Sequence, residues 1–199
     1  YPAIASLSSA AIEDRTAADH SWLKADGMNV STPFYDIEFS ADGSIKSLRD
    51  TKTGREWAKG GFNKLHLFQD TPGMYDAWDI LPNYDEVEYD LSIEKPLSLD
   101  RADSVSAEFS AVLKTPGDKS TWKLVIRLFE SSPEIETEHI VDWDEKHKLM
   151  KVEFACNVLS RTLITDTSAG YAARETHRNT TWQQARFEVS THLWTDFSE

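Results

Sequence analysis

The sequence holds a single cysteine in 199 residues, Cys156. One thiol cannot close an internal disulfide, so a disulfide-stapled secreted scaffold is disfavoured and a reducing compartment is the natural setting. Basic side chains are also scarce: 21 Lys and Arg stand against 34 Asp and Glu, a net charge of −13. Nucleic acids and anionic lipid surfaces both call for a basic footprint, which argues against both as partners. Apolar runs are only a few residues long, far short of the roughly 20 that span a bilayer. There is no Cys-x-x-Cys pair, no Gly-x-Ser-x-Gly elbow and no glycine-rich phosphate loop, so the usual zinc, serine-hydrolase and nucleotide signatures are missing. Neither an initiator Met nor a signal peptide precedes Tyr1-Pro2, and the chain stops at Asp196-Phe197-Ser198-Glu199 directly after an aromatic stretch. The expectation is an excised piece of a longer, cytoplasmic polypeptide.

What is present is core material: 40% of the residues are apolar and 11% aromatic. Residues 1–32 are Ala- and Ser-rich and read as a linker or N-terminal arm, with a short helix conceivable over Ala10–Ala18. From residue 34 the period becomes two. Tyr35, Ile37 and Phe39 alternate with Asp36 and Glu38, Asp42-Gly43-Ser44 supplies a turn, and Ile45–Asp50 returns. The same alternation places Val105, Ala107, Phe109, Ala111 and Leu113 on one face, then Trp122, Leu124, Ile126 and Leu128, then Ile135, Thr137, His139, Val141 and Trp143. Further strands are expected at Met150–Cys156 and at Ala185, Phe187 and Val189. Many short strands joined by turns, with no long 3.6-residue period, predict an all-β antiparallel domain over residues 33–199.

Two stretches break the alternation, Gln69–Ile80 and Arg174–Trp182. Loops of this polar and aromatic composition carry function more often than strands do. Tyr75, Asp76, Trp78, Arg174, His177 and Asn179 offer aromatic faces beside hydrogen-bonding groups, the mixture a sugar needs. The opposing reading makes Trp78 and Trp182 core anchors. Carboxylate pairs such as Asp76 with Asp79, or Asp142 with Glu145, arise easily by chance among 34 acids. No two histidines take a ligand spacing, so no metal site is assigned, and His139 fits a satisfied core histidine.

At these loops the sequence resembles the C-terminal β-sandwich region of glycoside hydrolase family 38, the retaining α-mannosidases, in its bacterial and vacuolar-type branch. The carrying motifs are Asp42–Leu48, Tyr75-Asp76-Ala77-Trp78-Asp79-Ile80, Asp142–Glu145 with His147-Lys148-Leu149, and the series from Arg174 through Asn179-Thr180-Thr181-Trp182 and Ala185–Val189 to His192–Glu199. Two departures occur: the family often has Pro where Glu175 stands and Asp where Gln183 stands. The resemblance implies a galactose-mutarotase-like antiparallel supersandwich. It implies a zinc-dependent glycosidase whose zinc and Asp nucleophile lie in an upstream α/β barrel and helical region, so this fragment has no catalytic residue or metal of its own and is inactive alone. The implied partners are that barrel and helical region, an α-mannoside, and in the full-length protein a homo-oligomer is left open. Tyr75, Asp76 and Arg174 are the implied secondary substrate contacts. Two other readings remain: a free-standing carbohydrate-binding module, or an epimerase-like enzyme with His177 and Glu175 as acid and base.

Overall fold

The structure, a computed structural model, describes residues 21–71, 73–75 and 78–199. The 1–20 part of the expected arm, with its helix, lies outside the described residues, as does Asp76. Three sheets form, and every pairing among the described residues is antiparallel. The first runs in the order β1 (Lys24–Asp26), β2 (Asn29–Ser31), β3 (Tyr35–Phe39), β4 (Ile45–Asp50), β5 (Ala58–Gln69) and β10 (Lys148–Cys156). The second is the meander β6 (Ser92–Ala102), β7 (Ser106–Lys114), β8 (Thr121–Phe129) and β9 (Ile135–Asp142). The third holds β11 (Thr162–Thr167) between β12 (Gly170–Glu175) and β13 (Thr195–Asp196).

The first two sheets share one core, as the alternation predicts. Ile37, Phe39, Ile45 and Leu48 meet Ala107, Phe109, Leu113, Trp122, Leu124 and Ile126 in a single buried cluster. The rings of Phe39 and Phe109 lie 5.7 Å apart across it. The opposite face of β9 carries Glu136 and Glu138 in water, where Arg127 of β8 reaches both and also Glu108. No helix among the described residues is long and apolar enough to cross a membrane.

Four expectations are corrected. The boundary at residues 32 and 33 falls inside the sheet: β2 pairs with β3, Leu23 and Val30 are buried in the core, and Trp22 Nε1 donates to the Asp103 carbonyl (2.8 Å). The strand expected at Ala185–Val189 does not form; helix α1 (Thr181–Gln184) precedes it, and the segment after it is irregular. Val105 ends outside β7 and is exposed, and Val141 and Trp143 are only partly covered. On β10 the alternation fails at Phe154, which is 48% exposed, because the register with β5 shifts there.

That shift has a visible cause. Asn63 is the extra residue of a bulge in β5, between Phe62 paired to Phe154 and Lys64 paired to Glu153, and its φ is 56°. Asn tolerates this left-handed conformation better than most residues. The bulge turns the Asn63 side chain inward, where it is fully buried and its Oδ1 sits 3.0 Å from His139 Nε2. Trp122 Nε1 donates to His139 Nδ1 (2.9 Å). Indole can only donate, so Nδ1 must be bare and the proton must lie on Nε2, facing Asn63. His139 is therefore the satisfied core histidine that the sequence suggested. Burial pushes its pKa down. A depressed folded-state value means that the contribution is complete above the ordinary value of about 6.5 and is lost as pH falls from there. The wild-type melting temperature should drop between pH 7 and pH 5, and His139→Gln should flatten that drop in a thermal melt.

Candidate functional site

The first candidate loop, after β5, is shaped by short local bonds. The amides of Trp78 and Asp79 both donate to the Tyr75 carbonyl (3.0 Å each). Tyr75 is 62% exposed and Trp78 88% exposed. The core-anchor reading of Trp78 is thereby overturned, and the same holds for Trp182 on α1, which is 79% exposed. At the base of this loop a shallow cavity of about 150 Å³ is lined by Gln69, Asp70, Thr71, Leu81, Asn83 and Tyr84.

The second candidate segment is built on the third sheet. Arg174 stands opposite Leu163 in the β11–β12 pairing. Its Nε donates to the Thr165 hydroxyl (3.1 Å) and its Nη2 to the Ser190 carbonyl (3.0 Å), so one guanidinium ties the hairpin to the returning chain. Downstream, Thr180 caps α1: its hydroxyl accepts from the Gln183 amide, and the Gln183 side chain answers. Gln183 Oε1 accepts from the backbone N–H of Asn179 (2.7 Å) and of Thr180 (3.0 Å). Two backbone donors fix the amide orientation, so Nε2 must be the end that faces Glu175 Oε2 (2.7 Å) and His177 Nε2 (3.1 Å). Gln183 is thus fully used, and His177 Nε2 is held as an acceptor. Glu175 and His177, the supposed epimerase pair, both point at Gln183 rather than across a substrate gap. The two departures from the family pattern, at 175 and 183, are bonded to each other.

Around this hub lies a cavity of about 210 Å³. Arg174 and His177 line it, together with the polar Glu175, Gln183, Arg178 and Arg186 and the apolar Leu163 and Phe187. Asn179 is not among its lining residues; its amide serves the cap instead. Phe187 stands 6.4 Å, ring to ring, from Tyr84, which lines the first cavity. Lys151 of β10 pairs with Glu188 and lies 4.0 Å over the Tyr84 ring. The two candidate regions therefore flank one aromatic contact, and of the five candidates among the described residues Arg174 and His177 share a cavity.

Sequence reasoning missed two residues. Gln183 had a readable signal, since Thr180-x-x-Gln183 is a capping-box pattern. Asp166 had none. Its Oδ1 accepts from the backbone N–H of His192 (2.9 Å), Leu193 (2.7 Å) and Trp194 (3.0 Å), which holds the turn before β13. Burial pushes this carboxyl up, but those N–H groups and the Thr191 hydroxyl outweigh it and hold it below the ordinary range. A lowered folded-state value gives stabilisation that is present above the unfolded value of about 3.9 and lost as pH falls through the folded one. Asp166→Asn at neutral pH should speed hydrogen exchange at the amides of 192–194 by about tenfold or more, because a charged acceptor is replaced by a neutral one.

Glu145, one of the suspected pairs, accepts from the Thr115 hydroxyl (2.5 Å) and pairs with Lys148 (3.2 Å). The zinc that the resemblance implies belongs to the upstream region and not to this chain; among the described residues there is no group of three or more His, Cys, Asp or Glu that could hold a metal. No chemical step is assigned to it.

Fold and site together define an antiparallel β-sandwich domain that presents polar and aromatic loops around two shallow cavities. The sequence profile of the family described as "Glycosyl hydrolases family 38 C-terminal domain" matches residues 30–199, and the chain belongs to that family. Alpha-mannosidase 2C1 of Homo sapiens is 31% identical over 174 residues, covering 82% of this chain and 16% of that protein. Alpha-mannosidase G of Dictyostelium discoideum is 33% identical over 184 residues, covering 85% of this chain and 16% of that one. The chain thus spans about a sixth of the length of these relatives. The crystal structure of an alpha-mannosidase from Enterococcus faecalis V583 superposes with a TM-score of 0.55 over 83% of this chain and 21% of that one; at 11% identity it supports the fold alone.

Proposed function

We propose that this domain serves an α-mannosidase by packing on a catalytic domain and shaping its sugar pocket with the Tyr75–Trp78 and Arg174–Asn179 loops. The observation that carries this reading is the set of bare apolar side chains on and beside those loops. Met74 (80%), Trp78 (88%), Trp182 (79%) and Leu193 (82%) are largely exposed. Large exposed apolar groups on loops suit an interaction surface, and Trp offers a flat face for a sugar ring beside an N–H donor. The relatives named above are α-mannosidases several times longer, which leaves room for the catalytic partner. The lone, half-buried thiol of Cys156 suits a cytoplasmic setting.

The test has two parts. The 199-residue chain alone, supplied with zinc, should not turn over an aryl α-mannoside; measurable turnover would overturn the proposal. In the longer polypeptide, Trp78→Ala or Trp182→Ala should raise KM by roughly three- to tenfold, the loss of one aromatic contact of about 1 kcal/mol. Unchanged kinetics in both variants would remove these loops from the sugar pocket. A free-standing binding module would instead show millimolar or tighter affinity for mannose in the isolated chain, about −4 kcal/mol or better.

A further inference from the structure

Three arginines line one cavity of a protein whose net charge is −13. Arg174 is oriented by the Thr165 hydroxyl and the Ser190 carbonyl, and Arg178 by the Phe187 carbonyl (3.2 Å). These acceptors are neutral, so they aim the guanidinium groups without cancelling their charge. Among the described residues, Arg55 and Arg127 are ion-paired to carboxylates, whereas no such pair involves Arg174, Arg178 or Arg186. The one acid in the lining, Glu175, is turned toward the Gln183 amide. Three cationic groups therefore stand against one carboxylate, an excess of two positive charges in an otherwise acidic molecule.

We infer that this cavity binds a small oxyanion, the phosphate or carboxylate group of a sugar or of a free anion. Guanidinium presents a planar fork of donors that matches such groups, and its hydrogen bonds to them are charge-assisted. His177 fits the same role: with Nε2 committed as an acceptor to Gln183, a neutral imidazole carries its proton on Nδ1 and has a donor left to give. Leu163 and Phe187 add apolar surface to the same lining, against which the carbon skeleton of a ligand can rest. A volume of about 210 Å³ is below the roughly 300–1,000 Å³ of drug-sized pockets, so the site holds one small molecule rather than an extended chain. This goes beyond the mannosidase reading, because it requires only the present chain and can hold or fail independently of the sugar-pocket role.

The test is a titration of the ¹⁵N-labelled chain with inorganic phosphate, mannose 6-phosphate and mannose, each at an ionic strength matched with chloride. Phosphate and mannose 6-phosphate should shift the signals of residues 174–178 and raise the melting temperature, and mannose should do neither. Arg178→Ala with Arg186→Ala should weaken the response by about tenfold or more. Both side chains are exposed and only the Arg178 bond to the Phe187 carbonyl is lost, so the melting temperature without ligand should fall by no more than about 4 °C; Arg186→Gln alone provides the same readout should the double variant melt early. Equal affinity for the two phosphates identifies the free anion as ligand, and a clear preference for mannose 6-phosphate identifies a phosphorylated sugar; either sustains the inference. A phosphate response no larger than that of chloride, a response undiminished in the variants, or mannose binding as tightly as its phosphate would each overturn it.

Discussion

Gly43→Ala should lower the melting temperature by roughly 6–12 °C, from a loss of about 3 kcal/mol at 2–4 °C per kcal/mol for a domain of this size. Gly43 sits in the β3–β4 turn with φ of 89°, and a Cβ there would lie 2.3 Å from Leu124 Cδ2. Two costs add. A non-glycine residue at this φ is strained by about 1–3 kcal/mol. Overpacking a filled core costs a further 1–3 kcal/mol or so. Leu124 is fully buried at the centre of the cluster, so its methyl has nowhere to retreat. Gly54→Ala separates the two costs. Gly54 has a φ of 71° and nothing within 4 Å of its would-be Cβ, so only the backbone cost applies. A melt in which both variants lose equally would show that the turn does not touch the core.

Phe39→Ala should cost about 3–5 kcal/mol, the usual range for emptying a buried aromatic site. Phe39 is 1% exposed and faces Phe109 across the sandwich, so neither sheet can close over the hole without moving the other. Phe154→Ala should cost distinctly less, since that ring is half exposed and packs edge-on against Phe62 outside the central cluster. Urea titrations of the two variants, compared at the midpoint with unchanged m-values, decide between them. Equal losses would mean that β10 seals the core as firmly as β3.

These two phenylalanines also show what the sequence could reveal about the fold. Both fall in clean alternation, and alternation does report a half-buried strand. It cannot report a bulge on the neighbouring strand, and Asn63 on β5 is what turns Phe154 outward. The β7 and β8 faces were legible because their pairing runs without interruption from Ser106 opposite Phe129 to Lys114 opposite Thr121. The Ala185–Val189 alternation misled for a different reason: it follows directly on helix α1 and has no strand partner among the described residues, while the edge of β11 is paired by Thr195 and Asp196. At the candidate site, the departure from alternation marked irregular chain that the structure describes at residues 70–71, 73–75, 78–80 and 176–180, whereas Arg174 and Glu175 belong to β12 and Thr181 and Trp182 to α1. It could not show that Arg174 would be occupied by Thr165 and Ser190, or that an acid at 166 would organise amides 26 to 28 residues away. Those contacts depend on chain reversals that no local pattern encodes.

The bond between Glu175 and Gln183 has a consequence for how the sequence can change. The resembling family often carries Pro and Asp at these two positions, so either pairing places one carboxylate in the neighbourhood. The intermediates differ. Losing Glu175 first leaves Gln183 with one acceptor fewer at an exposed site, a small penalty. Making the Gln183→Asp change first, with Glu175 still in place, would set two carboxylates in one small neighbourhood, but Arg174, Arg178 and Arg186 line the same cavity and offset their repulsion. At an exposed site either intermediate therefore costs about 1 kcal/mol or less, and the loop can pass between the two solutions by both routes.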